Sequence, residues 1–191
     1  MNNFEDIFSI KIFRKQIDVD VVTKIKQEMN LCCDDDIYSL MQGNTFNQQN
    51  QPVFSDPNFE EDFLEKNKIN SLREEALKNC YEYLNEYDAS GSNSLTFQKS
   101  WVCFCPRDCW GHSHNHPESL IAGVYYFKTN NSKGNLRLWS PLQFKKGVSH
   151  IKYDIEPEEG TMVLFPGWMY HEILTNTGEE TRVSIAFQVA W

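Results

Sequence analysis

Hydrophobic and polar residues follow two different rhythms along the chain. Up to about residue 94 apolar positions recur at steps of three and four; after Leu95 they come in short runs of Val, Ile, Phe, Tyr and Trp broken by Gly, Pro and Asn. The opening stretch IFSIKIF, residues 7–13, alternates at period two and predicts a first strand. Asp18 or Asp20 can cap a helix reaching to about Asn30, with Val21, Val22, Ile25 and Met29 as one apolar stripe. From Cys33 to Pro57 the periodicity lapses into DDD and GNTFNQQNQP, which reads as a long surface loop, either a connector or a lid facing a substrate. Asp56 and Pro57 form a helix start, and the segment from there to Tyr87 places Leu72, Ala76, Cys80 and Tyr83 on one face, with a break near residues 67–70. The cluster ASGSNS at 89–94 stops it.

The second part supplies TFQKSWVCFC, SLIAGVYYFK, GNLRLWSP, HIKYDI, GTMVLFP, MYHEILT and TRVSIAFQVAW. Seven or eight short strands joined by short turns predict a mostly β sandwich or jelly roll, with the N-terminal helices covering one outer face. No internal repeat is visible, and 191 residues suit one domain, helical over 1–94 and strand-built over 95–191.

Composition narrows the partners. With 14% aromatic residues the chain has the means to bury a core, which separates it from disordered sequences. Its net charge of −9 repels phosphate backbones and anionic lipid heads, so nucleic acid is not an expected partner. Glu5 and Asp6 sit where an export signal needs positive charge, no run approaches the ~18 apolar residues of a membrane span, and six Cys are too sparse for a disulfide scaffold. These features point to a cytoplasmic setting with reduced thiols. Cys103, Cys105 and Cys109 invite a zinc reading, but the spacing departs from C-x2-C knuckles. In WVCFC a strand sets Trp101, Cys103 and Cys105 on one face as small hydrophobes, which is the stronger reading.

The last strand carries Val183, Ile185, Phe187 and Val189 on one face and Arg182, Ser184, Ala186 and Gln188 on the other. That second face either meets solvent or lines the mouth of a barrel. The segment MYHEILT, joined to it by NTGEE, reads as its hairpin partner, which would bring His171 near Arg182. GHSHNHPES adds His112, His114 and His116 at alternate positions, so an extended backbone points all three the same way. A pair at i and i+2 can chelate one ion, with a third ligand from elsewhere in the chain, His171 being the obvious candidate. Spacing alone leaves open whether the close pair is 112 and 114 or 114 and 116.

HNHPESLIAGVYYF, GNLRLWSP, PEEGTMVLFPGWMYHEI and RVSIAF, in that order over roughly residues 96–191, resemble the 2-oxoglutarate and Fe(II)-dependent oxygenase family that carries HxHPxSxxSGVYY and FPSWLxH segments. The first 95 residues carry no assignable motif. The resemblance implies a double-stranded β-helix, the jelly-roll variant of cupin-like proteins, with His114, His116 and His171 facing Fe(II). It further implies that Arg182, helped by Ser184, holds the distal carboxylate of 2-oxoglutarate, while Tyr126 either donates a hydroxyl hydrogen to the same cosubstrate or packs in the core. The implied reaction uses O2, releases succinate and CO2, and hydroxylates a C–H bond. Its substrate is unidentified: a small molecule, an amino acid, a peptide or a protein side chain all suit, and the oligomeric state leaves no signal.

Three departures stand out. His116 occupies the place where the wider group of 2-oxoglutarate oxygenases has Asp or Glu, so the ligand set also suits zinc, copper or nickel. Gly167 and Ala122 replace serines of the family pattern. Trp139, Trp168 and Phe165 are candidates for pocket walls or for plain core. The alternative function is a cupin-like zinc-binding module without oxygenase activity, in which Arg182 makes an internal ion pair. A three-histidine dioxygenase working without 2-oxoglutarate would have no need of the R-x-S pair.

Overall fold

The structure, a computed structural model, describes residues 9–32, 52–55, 60–87, 89, 94–129, 134–141 and 152–191. Helix α1 (Val19–Cys32) follows Asp18, whose carbonyl accepts from Val22 N–H at 2.9 Å, and buries Ile25 and Met29 as the stripe predicts. The Asp56 and Pro57 helix start lies outside the described residues. The next described turn, α2 (Phe63–Lys66), is capped by Asp62, whose side chain accepts from Glu65 N–H. The predicted break follows, with Lys68 at φ 56°. Helix α3 (Asn70–Asn85) has no side-chain cap of its own. Instead Glu28 of α1 accepts from Ser71 N–H at 3.0 Å and from its hydroxyl at 2.8 Å, which satisfies a helix N-terminus with a carboxylate and ties the two helices together.

Among the described residues ten strands form two antiparallel sheets that face each other as a jelly roll. The first contains β1 (Phe13–Gln16), β2 (Val53–Phe54), β3 (Thr96–Cys105), β5 (Ile121–Lys128), β8 (Thr161–Pro166) and β10 (Arg182–Ala190), in the order β1-β8-β5-β10-β3-β2. The second contains β4 (Gly111–His114), β6 (Leu136–Trp139), β7 (Lys152–Ile155) and β9 (His171–Ile173), in the order β4-β9-β6-β7. One apolar cluster joins the helices to the outer face of the larger sheet, through Ile25, Leu72, Cys80, Val183, Ile185 and Phe187 among others. A second, including Val163, Phe165, Leu136 and Ile155, fills part of the space between the sheets. Among the described residues no helix is long and apolar enough to cross a membrane.

The first strand lies further along than residues 7–13. Among the described residues pairing begins at Phe13, because the backbone of Lys11 is taken by tyrosines: its N–H donates to the Tyr87 hydroxyl at 2.6 Å and its carbonyl accepts from Tyr83 at 2.8 Å. The expected hairpin between MYHEILT and the last strand does not form, since β9 lies between β4 and β6 while β10 lies between β5 and β3. The NTGEE segment crosses from one sheet to the other, and fully buried Asn176 anchors the crossing. Its side-chain amide donates to the carbonyls of Cys105 and Glu180, and its side-chain oxygen accepts from Gly178 N–H. Of the polar loop from Cys33 to Pro57, residues 33–51, 56 and 57 lie outside the described residues. The remainder includes β2, which pairs with β3 at Phe104 and Cys103 and is locked by Ser55, whose hydroxyl accepts from Val102 N–H at 2.9 Å.

Candidate active site

The last strand separates two interiors. Its odd residues join the apolar cluster beneath the helices, and Arg182, Ser184, Ala186 and Gln188 line a cavity of about 420 Å³. Four histidines line that cavity, and three of them, His114, His116 and His171, converge. His114 ends β4 directly opposite His171 on β9, and His116 follows in a turn whose backbone donates from His116 N–H to Gly167 C=O at 2.8 Å. One ring nitrogen from each lies within 4.8 Å of the other two, close enough for one ion. His114 Nδ1 is 2.8 Å from the His112 carbonyl and His171 Nδ1 is 2.9 Å from the Met169 carbonyl. A carbonyl only accepts, so both Nδ1 atoms carry hydrogen and both Nε2 lone pairs remain available. Burial, then the charge of His114, pushes His171 down to about 3; burial, then His114 and Lys99, pushes His116 down to about 4. Both rings are therefore neutral near pH 7, the state a metal requires.

His116 is held differently. Its Nδ1 is 2.9 Å from Gln188 Nε2, while Gln188 Oε1 is 2.9 Å from the Ser119 hydroxyl, which in turn is 2.6 Å from Gln98 Oε1. One hydroxyl hydrogen cannot serve both carbonyl oxygens. Turning the Gln188 amide by half a rotation resolves the conflict: its nitrogen then donates to Ser119, and its oxygen accepts from His116 Nδ1–H. That orientation frees the third Nε2 lone pair, so the network is complete only in the form that binds an ion. None of these three residues is singled out by the sequence, although Gln188 lies on the polar face of the last strand.

At the other end of β10, Arg182 is 2% exposed and its guanidinium donates to the Gly134 carbonyl through Nη1, while its buried Nε has no partner. Gly134 makes the approach possible, because a Cβ there would stand 2.7 Å from Nη1. Ser184 is the cross-strand partner of both Tyr126 and Cys103, so all three share the cavity face. Tyr126 also packs in the inter-sheet cluster, and burial pushes its hydroxyl up to about 12, which keeps it a donor at neutral pH. An orphaned guanidinium donor beside two hydroxyls calls for an anion, and the residues present fit a carboxylate. Among the described residues Arg182 makes no ion pair.

Other expectations sort themselves here. His112 stands outside the chelating group with its ring 4.4 Å from that of Trp110, so the close pair is His114 and His116. Phe165 lines the cavity and packs 4.8 Å from His171, but Trp139 and Trp168 do not line it: Trp139 lies under the Arg137 guanidinium and Trp168 is 45% exposed. Cys103, Cys105 and Cys109 are buried free thiols, and the histidines are the only such chelating group among the described residues. Gly167 is explained by packing, because a Cβ there would stand 2.2 Å from the Ser119 carbonyl oxygen, so serine does not fit. Lys99 lines the cavity without having been expected there, and Pro52 and Phe54, from the loop read as either a connector or a lid facing a substrate, line it as well. The alternation that places Trp101 and Cys103 on one face extends back to Lys99 and could have found it.

Residues 99–188 match the model of a family described as "Putative 2OG-Fe(II) oxygenase". Among solved structures, the chain is similar to a Pseudomonas putida prolyl-4-hydroxylase, with TM-score 0.55 and 16% identity over 94% of this chain and 93% of that one. A prolyl hydroxylase from Trichoplax adhaerens, solved with a peptide fragment of the oxygen degradation domain of hypoxia inducible factor, gives 0.53 and 14% over 94% and 83%. The non-heme alpha ketoglutarate dependent epimerase SnoN, of nogalamycin biosynthesis, gives 0.59 and 11% over 95% and 78%. At such identities these likenesses show the fold. No curated protein matches the chain.

Proposed function

We propose, from the premise that residues 99–188 belong to the 2OG-Fe(II) oxygenase family, that this chain oxidises a C–H bond of an organic substrate at the expense of 2-oxoglutarate and O2. The observation that carries the proposal is the meeting, in one cavity, of three mutually chelating imidazoles and a buried guanidinium with an unpartnered donor. His114, His116 and His171 would hold Fe(II); Arg182, with Ser184 and Tyr126, would hold the distal carboxylate of 2-oxoglutarate. Bound iron and cosubstrate supply O2 activation coupled to oxidative decarboxylation, with succinate and CO2 as coproducts.

The protein's own part is position and exclusion. Neutral His116 and His171 offer lone pairs without first losing a proton. The planar fork of Arg182 presents several donors to a carboxylate. Phe165, Leu136 and Val124 line the cavity with apolar surface, which displaces water from around the centre. With His116 in place of a carboxylate, the ligand set carries no negative charge, which strengthens the pull on anions. Protein loaded with iron under nitrogen, given 2-oxoglutarate and then air, is expected to release succinate slowly even without its substrate. Absence of both succinate and calorimetric 2-oxoglutarate binding, in protein that retains zinc through purification, would support the zinc module instead.

A further inference from the structure

We propose that the substrate oxidised at this centre is an organic carboxylate whose anionic group pairs with Lys99 and whose apolar body lies against Trp101 and Phe54. The inference rests on the oxygenase reading and adds the chemical class of its substrate.

The first observation is one of charge. The chain has 27 acidic residues against 18 basic ones, yet among the described residues that line the cavity none is Asp or Glu, and two, Arg182 and Lys99, are cations. In so acidic a protein, a cavity cleared of carboxylates is a cavity built for anions. The second is that the Lys99 side chain has no partner of its own among the described residues. Lys11, Lys15, Lys26, Lys66 and Lys78 all reach carboxylates. The ammonium of half-buried Lys99 forms neither an ion pair nor a hydrogen bond among the described residues, although burying an ammonium without a partner is unfavourable.

Position separates this cation from the cosubstrate site. Lys99 on β3 faces Gln188 on β10, and Arg182 faces Cys105. The two pairs stand six residue steps apart along the strands, about 20 Å at the usual rise per residue, which no five-carbon diacid can bridge. Gln188 in turn holds His116, so Lys99 stands on the metal side of the cavity, near enough for its charge to act on His116. A carboxylate paired with Lys99 therefore leaves the rest of its molecule beside the histidines. Trp101, two residues along β3 from Lys99, and Phe54, paired with Cys103 two residues further on, supply flat apolar walls along the cavity from that point, and its volume falls within the range of pockets that enclose small organic ligands.

The test uses zinc-loaded protein saturated with 2-oxoglutarate, so that Arg182 is occupied and no turnover occurs. Two matched pairs serve as probes: 4-phenylbutyrate against 4-phenylbutanamide, and the blocked peptide acetyl-Phe-Asp-Phe-amide against its Asn analogue. Ligand-observed NMR gives the affinities. The acid member of at least one pair is expected to bind about tenfold more tightly, equivalent to about 1.4 kcal/mol, and the pair that responds tells a free acid from an acidic peptide. Lys99→Met, or Lys99→Gln if the first fails to fold, is expected to abolish the preference. Lys99→Arg keeps it, and all three variants bind 2-oxoglutarate within twofold of the wild type. A lack of preference in both pairs overturns the inference, as does a preference that survives in Lys99→Met. Failure of wild-type protein to bind 2-oxoglutarate at all instead removes the oxygenase reading, and this inference with it.

Discussion

Replacing Arg182 by methionine is expected to move two quantities in opposite directions. In the ligand-free protein the guanidinium is 2% exposed, with one backbone acceptor at Gly134, no acidic partner among the described residues and an unpartnered Nε. An ion in that position carries a desolvation penalty of several kcal/mol. Methionine removes it and fills much of the same volume, but leaves the Gly134 carbonyl unsatisfied at a cost of about 1–3 kcal/mol. The balance favours the variant by roughly 1–2 kcal/mol, which for a chain of this size raises Tm by about 2–8 °C. Affinity moves the other way: two charge-assisted hydrogen bonds to a carboxylate are worth about 3–6 kcal/mol, so 2-oxoglutarate binding weakens at least ~100-fold. Addition of 2-oxoglutarate at 100 times its Kd stabilises wild-type protein by about 2.7 kcal/mol and leaves Arg182→Met nearly unmoved. Thermal unfolding with and without cosubstrate, together with calorimetric titration of the zinc-loaded protein, reads both effects. A variant that melts several degrees lower yet binds 2-oxoglutarate normally would refute the reasoning, and one that loses its metal would mean that Arg182 supports the histidines rather than an anion.

Gln188→Leu removes the acceptor for His116 Nδ1–H and is expected to weaken metal affinity by about 10- to 100-fold in a chelator competition, whereas Gln188→Glu, which restores an acceptor, retains most of it. Gly167→Ser, the residue usual in the family pattern, drives a Cβ into the Ser119 carbonyl; chemical unfolding should show a loss of about 2 kcal/mol or more, and no loss would mean the turn yields freely. The metal-free protein should weaken in acid. His171 and His116 have folded-state values near 3 and 4, below the ordinary 6.5, so between those limits the unfolded chain binds more protons and stability falls as pH drops. Buried His171 contributes most of a loss of about 2 kcal/mol between pH 7 and 5, the contribution of partly exposed His116 being screened, and urea unfolding in chelator at the two pH values measures it.

How far the sequence could be read depended on the range of the forces involved. The strand 96–105 is legible to the residue because a period-two pattern of aromatic and β-branched residues has one solution, and the faces of the last strand follow from the same pattern. The break after α2 is legible because its cause is local. The first strand was misplaced because Tyr83 and Tyr87, more than seventy residues away, occupy the backbone of Lys11. The crossing at 176–180 passed for a hairpin because Asn and Gly favour turns of either kind, and only the distant carbonyl of Cys105 shows what Asn176 spans. The chelating histidines were legible as a set through spacing and resemblance. The choice between 112 with 114 and 114 with 116 by spacing alone was not, since it depends on which carbonyl orients which ring. Lys99 is not legible in the sequence, because an isolated lysine carries no pattern; only a cavity with no acid among its described lining residues gives it meaning.

The two faces of the last strand also bear on how the protein tolerates change. Odd positions from 183 to 189 keep the helices on the sheet, and even positions from 182 to 188 face the chemistry, so neighbouring residues are held by unrelated pressures. A saturation scan scored separately for cellular abundance and for turnover is expected to return two interleaved combs. Abundance falls at Val183, Ile185, Phe187 and Val189, and turnover falls with abundance preserved at Arg182, Ser184 and Gln188. Improvement of the enzyme for a new substrate could then proceed on one comb while the other is left untouched, so that this single strand offers variation in activity that is nearly free of its usual burden on folding.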